Sequence, residues 1–195
     1  MAIAKERIEL NIQLIIGSIR EGRRGRSIGE WAYETAAARG DMSVELIDLK
    51  EWNLPMFDLA KPPIRGEYEN RLQQLWADKI KEADGYLFIS PEYNHSYTSA
   101  LKNAVDYLYD EWGRKPAGFI GYGPTGGIRG IEQLRLVLIE LKMAALGNAL
   151  HLMRVHEKIE NNRFNGDEHD VANLNYVLDD LLWWSKALHE ARNIQ

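Results

Sequence analysis

Leu10-Asn11-Ile12-Gln13-Leu14-Ile15-Ile16, followed by Gly17-Ser18-Ile19-Arg20-Glu21-Gly22-Arg23-Arg24-Gly25-Arg26-Ser27, is the stretch from which the fold is read. The first part is rich in β-branched side chains and runs into a glycine, the pattern of a strand entering a tight turn. The second part holds three glycines, two serines and four arginines. Glycine lets a backbone approach a ligand closely, and guanidinium forks match phosphate oxygens. Ile28, Trp31, Ala32 and Thr35 then fall on one helical face, Ser27 and Glu30 have capping-box spacing, and Gly40 is the expected stop. A helix start favours an anion through its free N–H groups and dipole. The Gly-Lys-Ser/Thr ending of a Walker A loop is absent. Two readings stand: a phosphate cradle, or a solvated basic turn in which Ser27 caps the helix.

Outward from this stretch the pattern repeats. Val44–Leu49 reads as a second strand, and Trp52–Gly66, with Pro55, Pro62 and Pro63, as a long connection of the kind that is functional or contacts a partner. Leu72, Leu75, Trp76 and Ile80 mark a helix, Gly85–Ile89 a third strand, and Leu101, Ala104, Val105 and Leu108 another helix. Gly118–Tyr122 is a fourth strand, followed by a helix from about Ile131 to Met143. Ala149–Val155 is expected as the fifth strand and His169 to about Arg192 as the closing helix. Five βα alternations imply right-handed crossovers and a doubly wound parallel sheet with helices on both faces. Five strands suit the flavodoxin-like order 2-1-3-4-5. No linker, repeat or low-complexity tract interrupts the chain, so one α/β domain over 1–195 is expected.

The composition fits. The chain has 195 residues, 45% hydrophobic and 27% charged, an ordinary globular balance. A net charge of −5 argues against nucleic-acid or anionic-membrane binding. With no cysteine there is no disulfide, thiolate nucleophile or cysteine-held metal. Met1–Glu9 mixes acids and bases without an apolar core, unlike a signal peptide, and no apolar run is long enough to span a membrane. The expectation is a cytoplasmic protein.

In such a sheet, ligands bind beyond the carboxyl ends of the strands where the strand order reverses. Three loops meet there: Gly17–Ser27, Pro91–Thr98 and Tyr122–Gly130. In the second, Tyr93 offers a flat face and Asn94 offers donors and acceptors; the alternative is an ordinary turn capped by Ser96 or Thr98. In the third, Gly121, Gly123 and Gly126 match G-x-G-x-x-G, but after the fourth strand rather than the first, so a glycine loop approaching a flat ligand fits better than a dinucleotide site. His95 is the one histidine in a candidate loop, and His151, His156, His169 and His189 lack metal-ligand spacing. No Ser-His-Asp order stands out, so hydrolysis has no support. The helix holding Ile131, Leu134, Leu136, Val137, Leu138, Ile139 and Leu141 is apolar nearly all round, which fits a subunit contact or a deep core position.

Taken together, Gly17-Ser18-x-Arg20, Pro91-Glu92-Tyr93-Asn94-His95-Ser96 and Ala100-Leu101-Lys102-Asn103-Ala104-Val105-Asp106 resemble the NADPH-dependent FMN reductase family, which includes quinone, azo-dye and chromate reductases. The resemblance runs from about Ile12 to Val155. It implies an FMN phosphate site at Ser18, Arg20, Arg26 and Ser27, and an isoalloxazine wall at Pro91, Glu92, Tyr93 and Asn94. Gly123, Thr125, Gly126 and Gly127 would approach the ring from the other side. It further implies NADPH or NADH as co-substrate, a small-molecule electron acceptor, and a homodimer or dimer of dimers. Two departures are visible: Arg23 stands where many members have serine, and Tyr97-Thr98 where many have Pro-Gly. Arg23, Arg24 and Arg129 are candidates for a nicotinamide 2′-phosphate. Competing readings are a flavodoxin-type electron carrier and a flavin-free nicotinamide dehydrogenase.

Overall fold

β1 (Asn11–Ile16) runs through the interior of a parallel sheet because both of its faces are apolar. Ile12, Leu14 and Ile16 point to one side and Ile15 to the other, and all four are fully buried. The computed structural model describes residues 9–194. Met1–Ile8, most of the stretch read as unlike a signal peptide, lie outside the described residues.

β1 is followed by α1 (Gly25–Ala37), β2 (Ser43–Asp48), a short α2 (Leu49–Trp52), α3 (Arg71–Lys81), β3 (Gly85–Pro91), α4 (Ser99–Asp106), β4 (Pro116–Tyr122) and α5 (Ile128–Glu140). β5 (Ala144–Ala145), β6 (Leu150–Leu152), a hairpin of β7 (Ile159–Glu160) and β8 (Arg163–Phe164), and α6 (Glu168–Asn193) complete it. The sheet order is β2-β1-β3-β4-β5, with β6 also paired to β4, and every pair is parallel. On one face Ile28 and Trp31 of α1 and Leu174, Leu178 and Leu181 of α6 bury Leu14, Ile16, Leu87 and Ile120. On the other face Trp76, Leu101, Val105, Ile131 and Leu134 from α3, α4 and α5 bury Ile15, Phe88 and Phe119. The flavodoxin-like doubly wound sheet is therefore as expected.

Three local expectations are corrected. α1 begins at Gly25 with Arg24 as its cap residue and no capping side chain; Ser27 instead donates back to the Arg24 carbonyl at 3.1 Å, and Glu30 pairs with Arg26 at 2.7 Å. α5 starts a turn early, at Ile128, because Gly127 takes φ +71 and its tight approach to Tyr122 N leaves no room for a Cβ. Of the expected fifth strand Ala149–Val155 only Leu150–Leu152 forms, as β6 on Ile120–Tyr122, and the two-residue β5 on Pro116–Ala117 precedes it. Between them Arg135 draws the carbonyls of Leu146 (3.0 Å) and Gly147 (2.8 Å) out of the ladder. The Trp52–Gly66 connection is fastened: Asn103 accepts from Phe57 N (2.8 Å) and donates to the Pro55 carbonyl (2.7 Å).

At the opposite end of β4 from its carboxyl terminus, Lys115 is buried, and its ammonium donates to the carbonyls of Ile80 (2.9 Å) and Lys81 (3.2 Å) and to the Tyr86 hydroxyl (3.0 Å). Burial, reinforced by Arg192 and only partly offset by Asp84 and Glu111, lowers its pKa from 10.5 to about 7. Between those values the unfolded chain binds the extra proton, so this group makes stability rise with pH. The urea midpoint should increase from pH 7 to about pH 9, and Lys115→Met should flatten that rise; equal slopes in the two proteins would refute the assignment.

Candidate functional site

Beyond the last hydrogen bond joining β1 to β3, the two chains part and a cleft of about 400 Å³ opens. It is walled by Arg20–Arg24 after β1, by Pro91, Glu92 and Tyr93 after β3, and by Tyr122, Gly123 and Pro124 after β4. The three loops singled out in the sequence thus meet at one place.

The first loop is shaped by a buried carboxylate. Asp48, its side chain 1% exposed at the end of β2, receives both guanidinium nitrogens of Arg23 at 2.5 Å, and Arg23 also donates to the Ser18 carbonyl. Asp48 takes Lys50 N (3.0 Å) and Arg26 (3.1 Å) as well. Burial pushes its pKa up, but the hydrogen bonds from Arg23, Lys50 N and Arg26 together hold the carboxyl below the usual range. Arg26 is further tied to Glu30 and Glu51, both at 2.7 Å. Arg23 and Arg26 are therefore neutralised inside the protein. Arg20 lies over the Tyr93 ring at 5.4 Å, and Arg24 is exposed with no ion pair among the described residues.

The anion-ready groups are those on the main chain. Gly25, Arg26 and Ser27 open α1, and among the described residues no acceptor meets their N–H groups, since the cap residue supplies none. Gly25 is required here: a Cβ would sit 2.3 Å from Ser18 Oγ and 2.6 Å from the Tyr122 hydroxyl. Ser18 is fully buried and its Oγ accepts from that hydroxyl at 3.1 Å. Burial pushes the Tyr122 phenol well up, so it stays a donor.

The other predicted residues divide. Pro91, Glu92, Tyr93 and Gly123 line the cleft, whereas Arg26 and Ser27 line an adjoining groove of about 400 Å³ with Arg24, His156 and Asn162. Asn94 and His95 form an exposed turn with φ +49 and +72, closed by Tyr93 N to Ser96 O (2.8 Å) and Ser96 N to Tyr93 O (3.1 Å). Thr125, Gly126 and Gly127 lie behind the wall: Thr125 donates to Glu92 at 3.3 Å, the Gly126 carbonyl meets His151 Nδ1 at 2.9 Å, and Gly127 opens α5. Thr98 is the cap of α4, accepting from Leu101 N at 3.1 Å while its hydroxyl donates to the Gly17 carbonyl. Sequence reasoning missed Asp48, Tyr122 as a hydroxyl donor, and Arg129 as the partner of Glu92. A lone acid closing β2 was the one visible signal.

These residues fit a phosphorylated aromatic ligand, with Arg20, Arg24 and the flat Tyr93 ring lining the cleft and the start of α1 lining the groove that adjoins it. Strand order and cleft position place the chain in the flavodoxin-like class. A family model described as NADPH-dependent FMN reductase matches residues 10–157. The chain is 38% identical over 139 residues to an NAD(P)H-dependent FMN reductase of Schizosaccharomyces pombe, covering 70% of each. It is 35% identical over 133 residues to an FMN-dependent NADPH-azoreductase of Staphylococcus saprophyticus, covering 66% of this chain and 69% of that one. FerB, an NAD(P)H:(acceptor) oxidoreductase of Paracoccus denitrificans, shares the fold with a TM-score of 0.73 at 21% identity, over 91% of this chain and 98% of FerB. The chain belongs to the NADPH-dependent FMN reductase family, whose members are oxidoreductases working with FMN and NAD(P)H.

Removing the carboxylate charge under the first loop tests its architecture. Asp48→Asn leaves the Arg23 guanidinium, whose side chain is 10% exposed, without its counter-charge. Breaking a buried pair in this way costs about 3 kcal/mol, and denaturant unfolding should register that loss. A variant as stable as wild type would show that the pair does not brace the loop.

Proposed function

We propose that this protein carries reducing equivalents from NAD(P)H, through FMN held in the switch-point cleft, to a small electron acceptor such as a quinone, azo compound, free flavin or metal oxyanion. The observation that carries this reading is the cleft in which Arg20–Arg24 face Pro91–Tyr93, continued by an adjoining groove that Arg26 and Ser27 line at the start of α1. When bound, FMN supplies a ring that takes a hydride from NAD(P)H and gives two electrons to the acceptor. The chain's own part is to hold and orient. The main chain of Gly25, Arg26 and Ser27, with Ser18 and Arg20, receives the phosphate. Tyr93 packs against the ring, with Pro91 and the Glu92 main chain completing that wall and Asn94 in the turn beyond it, and Gly123 and Pro124 form the opposite wall, backed by Thr125, Gly126 and Gly127.

No side chain in the cleft is required as an acid or base, which suits a ping-pong exchange in which NAD(P)H leaves before the acceptor enters. Of the three arginines considered for a 2′-phosphate, Arg23 is spent on Asp48 and Arg129 on Glu92, so Arg24 is assigned that contact. A homodimer or dimer of dimers is supported by Leu136 and Ile139 on α5 and Trp183 on α6, all exposed apolar side chains. Among the described residues no helix is long and apolar enough to cross a membrane. The absence of cysteine suits the cytosol.

Purified protein mixed with FMN should show flavin absorbance bands and oxidise NADPH steadily with a soluble benzoquinone, giving parallel initial-rate lines. Retained FMN without turnover would mean a carrier, and no FMN uptake would overturn the reading. Arg24→Ala should raise KM for NADPH about tenfold and leave KM for NADH unchanged, the loss of one charge-assisted contact. Equal changes for both nucleotides would remove Arg24 from that role.

A further inference from the structure

Glu92 is a residue of the cleft whose side chain does not face the cleft. Its main chain lines the opening, while the carboxylate, 4% exposed, turns under the start of α5. There it accepts from Arg129 N at 3.2 Å and from Thr125 Oγ1 at 3.3 Å, and it forms an ion pair with the Arg129 guanidinium. Arg129 also reaches Thr125 Oγ1 at 3.4 Å. Gly127 provides no capping side chain, so a carboxylate from the loop after β3 caps the helix after β4. Glu92 N donates to the Tyr122 carbonyl at 3.1 Å, a second tie between the same two walls. Burial would push the carboxyl pKa up, but the Arg129 guanidinium, helped by Thr125 and the Arg129 N–H, holds it below the usual range.

We propose that Glu92 and Arg129 form a charge-balanced clamp that sets how strongly the cleft favours reduced over oxidised FMN, with Glu92 a positioning residue. The inference rests on the preceding reading that FMN occupies this cleft. Hydride transfer breaks a C–H bond of NAD(P)H and places two electrons, one proton and hence one net negative charge on the ring. A bare carboxylate on the rim opposes that charge, and a bare guanidinium favours it. Paired, the two cancel while still locking the walls together. The clamp's halves therefore have opposite electrostatic effects and the same structural effect.

That opposition gives the test. Glu92→Gln, whose amide oxygen still accepts from Arg129 N, should favour reduced over oxidised FMN about tenfold, a rise in midpoint potential of about 30 mV for a two-electron couple. Arg129→Gln should lower the potential by a similar amount, and the double variant should return close to wild type. Thermal melts of the FMN-free proteins supply the structural readout, with both single variants melting below wild type. Shifts of the same sign, or lowered melting with unchanged potentials, would overturn the clamp and leave a helix cap. Wild-type protein that binds FMN while the variants' potentials stay flat refutes this inference alone; wild-type protein that takes up no FMN refutes the underlying reading as well.

Discussion

The hydrogen bond from Gly17 N to the Ile89 carbonyl, 2.8 Å long, is the last rung between β1 and β3, and the site follows from what lies beyond it. β1 sits between β2 and β3, and its crossover helix α1 descends one face of the sheet while α4, after β3, descends the other. The chains must separate there, because the two helices they feed lie on opposite sides. Separation exposes strand-end backbone that no neighbour can pair, and a ligand with its own donors and acceptors is the natural partner. Loop composition then decides which ligand.

That decision is made by charge cancellation more than by charge count. Four arginines crowd the first loop, yet Asp48, Glu30 and Glu51 absorb two of them. What reaches the cleft with its charge unpaired by a carboxylate among the described residues is Arg20 and Arg24. The same economy appears after β3, where Glu92 is matched by Arg129. An acidic protein thereby keeps two cations at the cleft without a basic face.

Much of this was legible in the sequence. The β-branched run of Leu10–Ile16 ending at Gly17 and helical spacing in Ile28–Thr35 pointed to the strand–helix order, and that order to the sheet. The three loops of the cleft followed from topology. Local start signals were less faithful: Ser27 looks like a cap, but Gly25 tucks against Ser18 and Tyr122 and draws the helix start back. The expected fifth strand Ala149–Val155 missed β5 at Ala144–Ala145, because two alanines ahead of Leu146–Gly147, whose carbonyls go to Arg135, carry no strand pattern. Pairings such as Arg23 with Asp48 join residues far apart in sequence and have no local pattern. The glycine motif after β4 matched the dinucleotide pattern in letters only: Gly121 packs against the Gly126 carbonyl and Gly126 against His151.

Thr98 and Asn103 give α4 a mechanical character. The Thr98 hydroxyl holds the Gly17 carbonyl at the root of the first loop, and Asn103, one helical turn on, holds Pro55 and Phe57. Two segments with no sequence continuity are bolted to one short rod. Tilting that rod would displace the phosphate end of the cleft and the proline-rich segment together, as two arms of one lever. The Thr98 hydroxyl on the Gly17 carbonyl makes that lever stiff at its fulcrum.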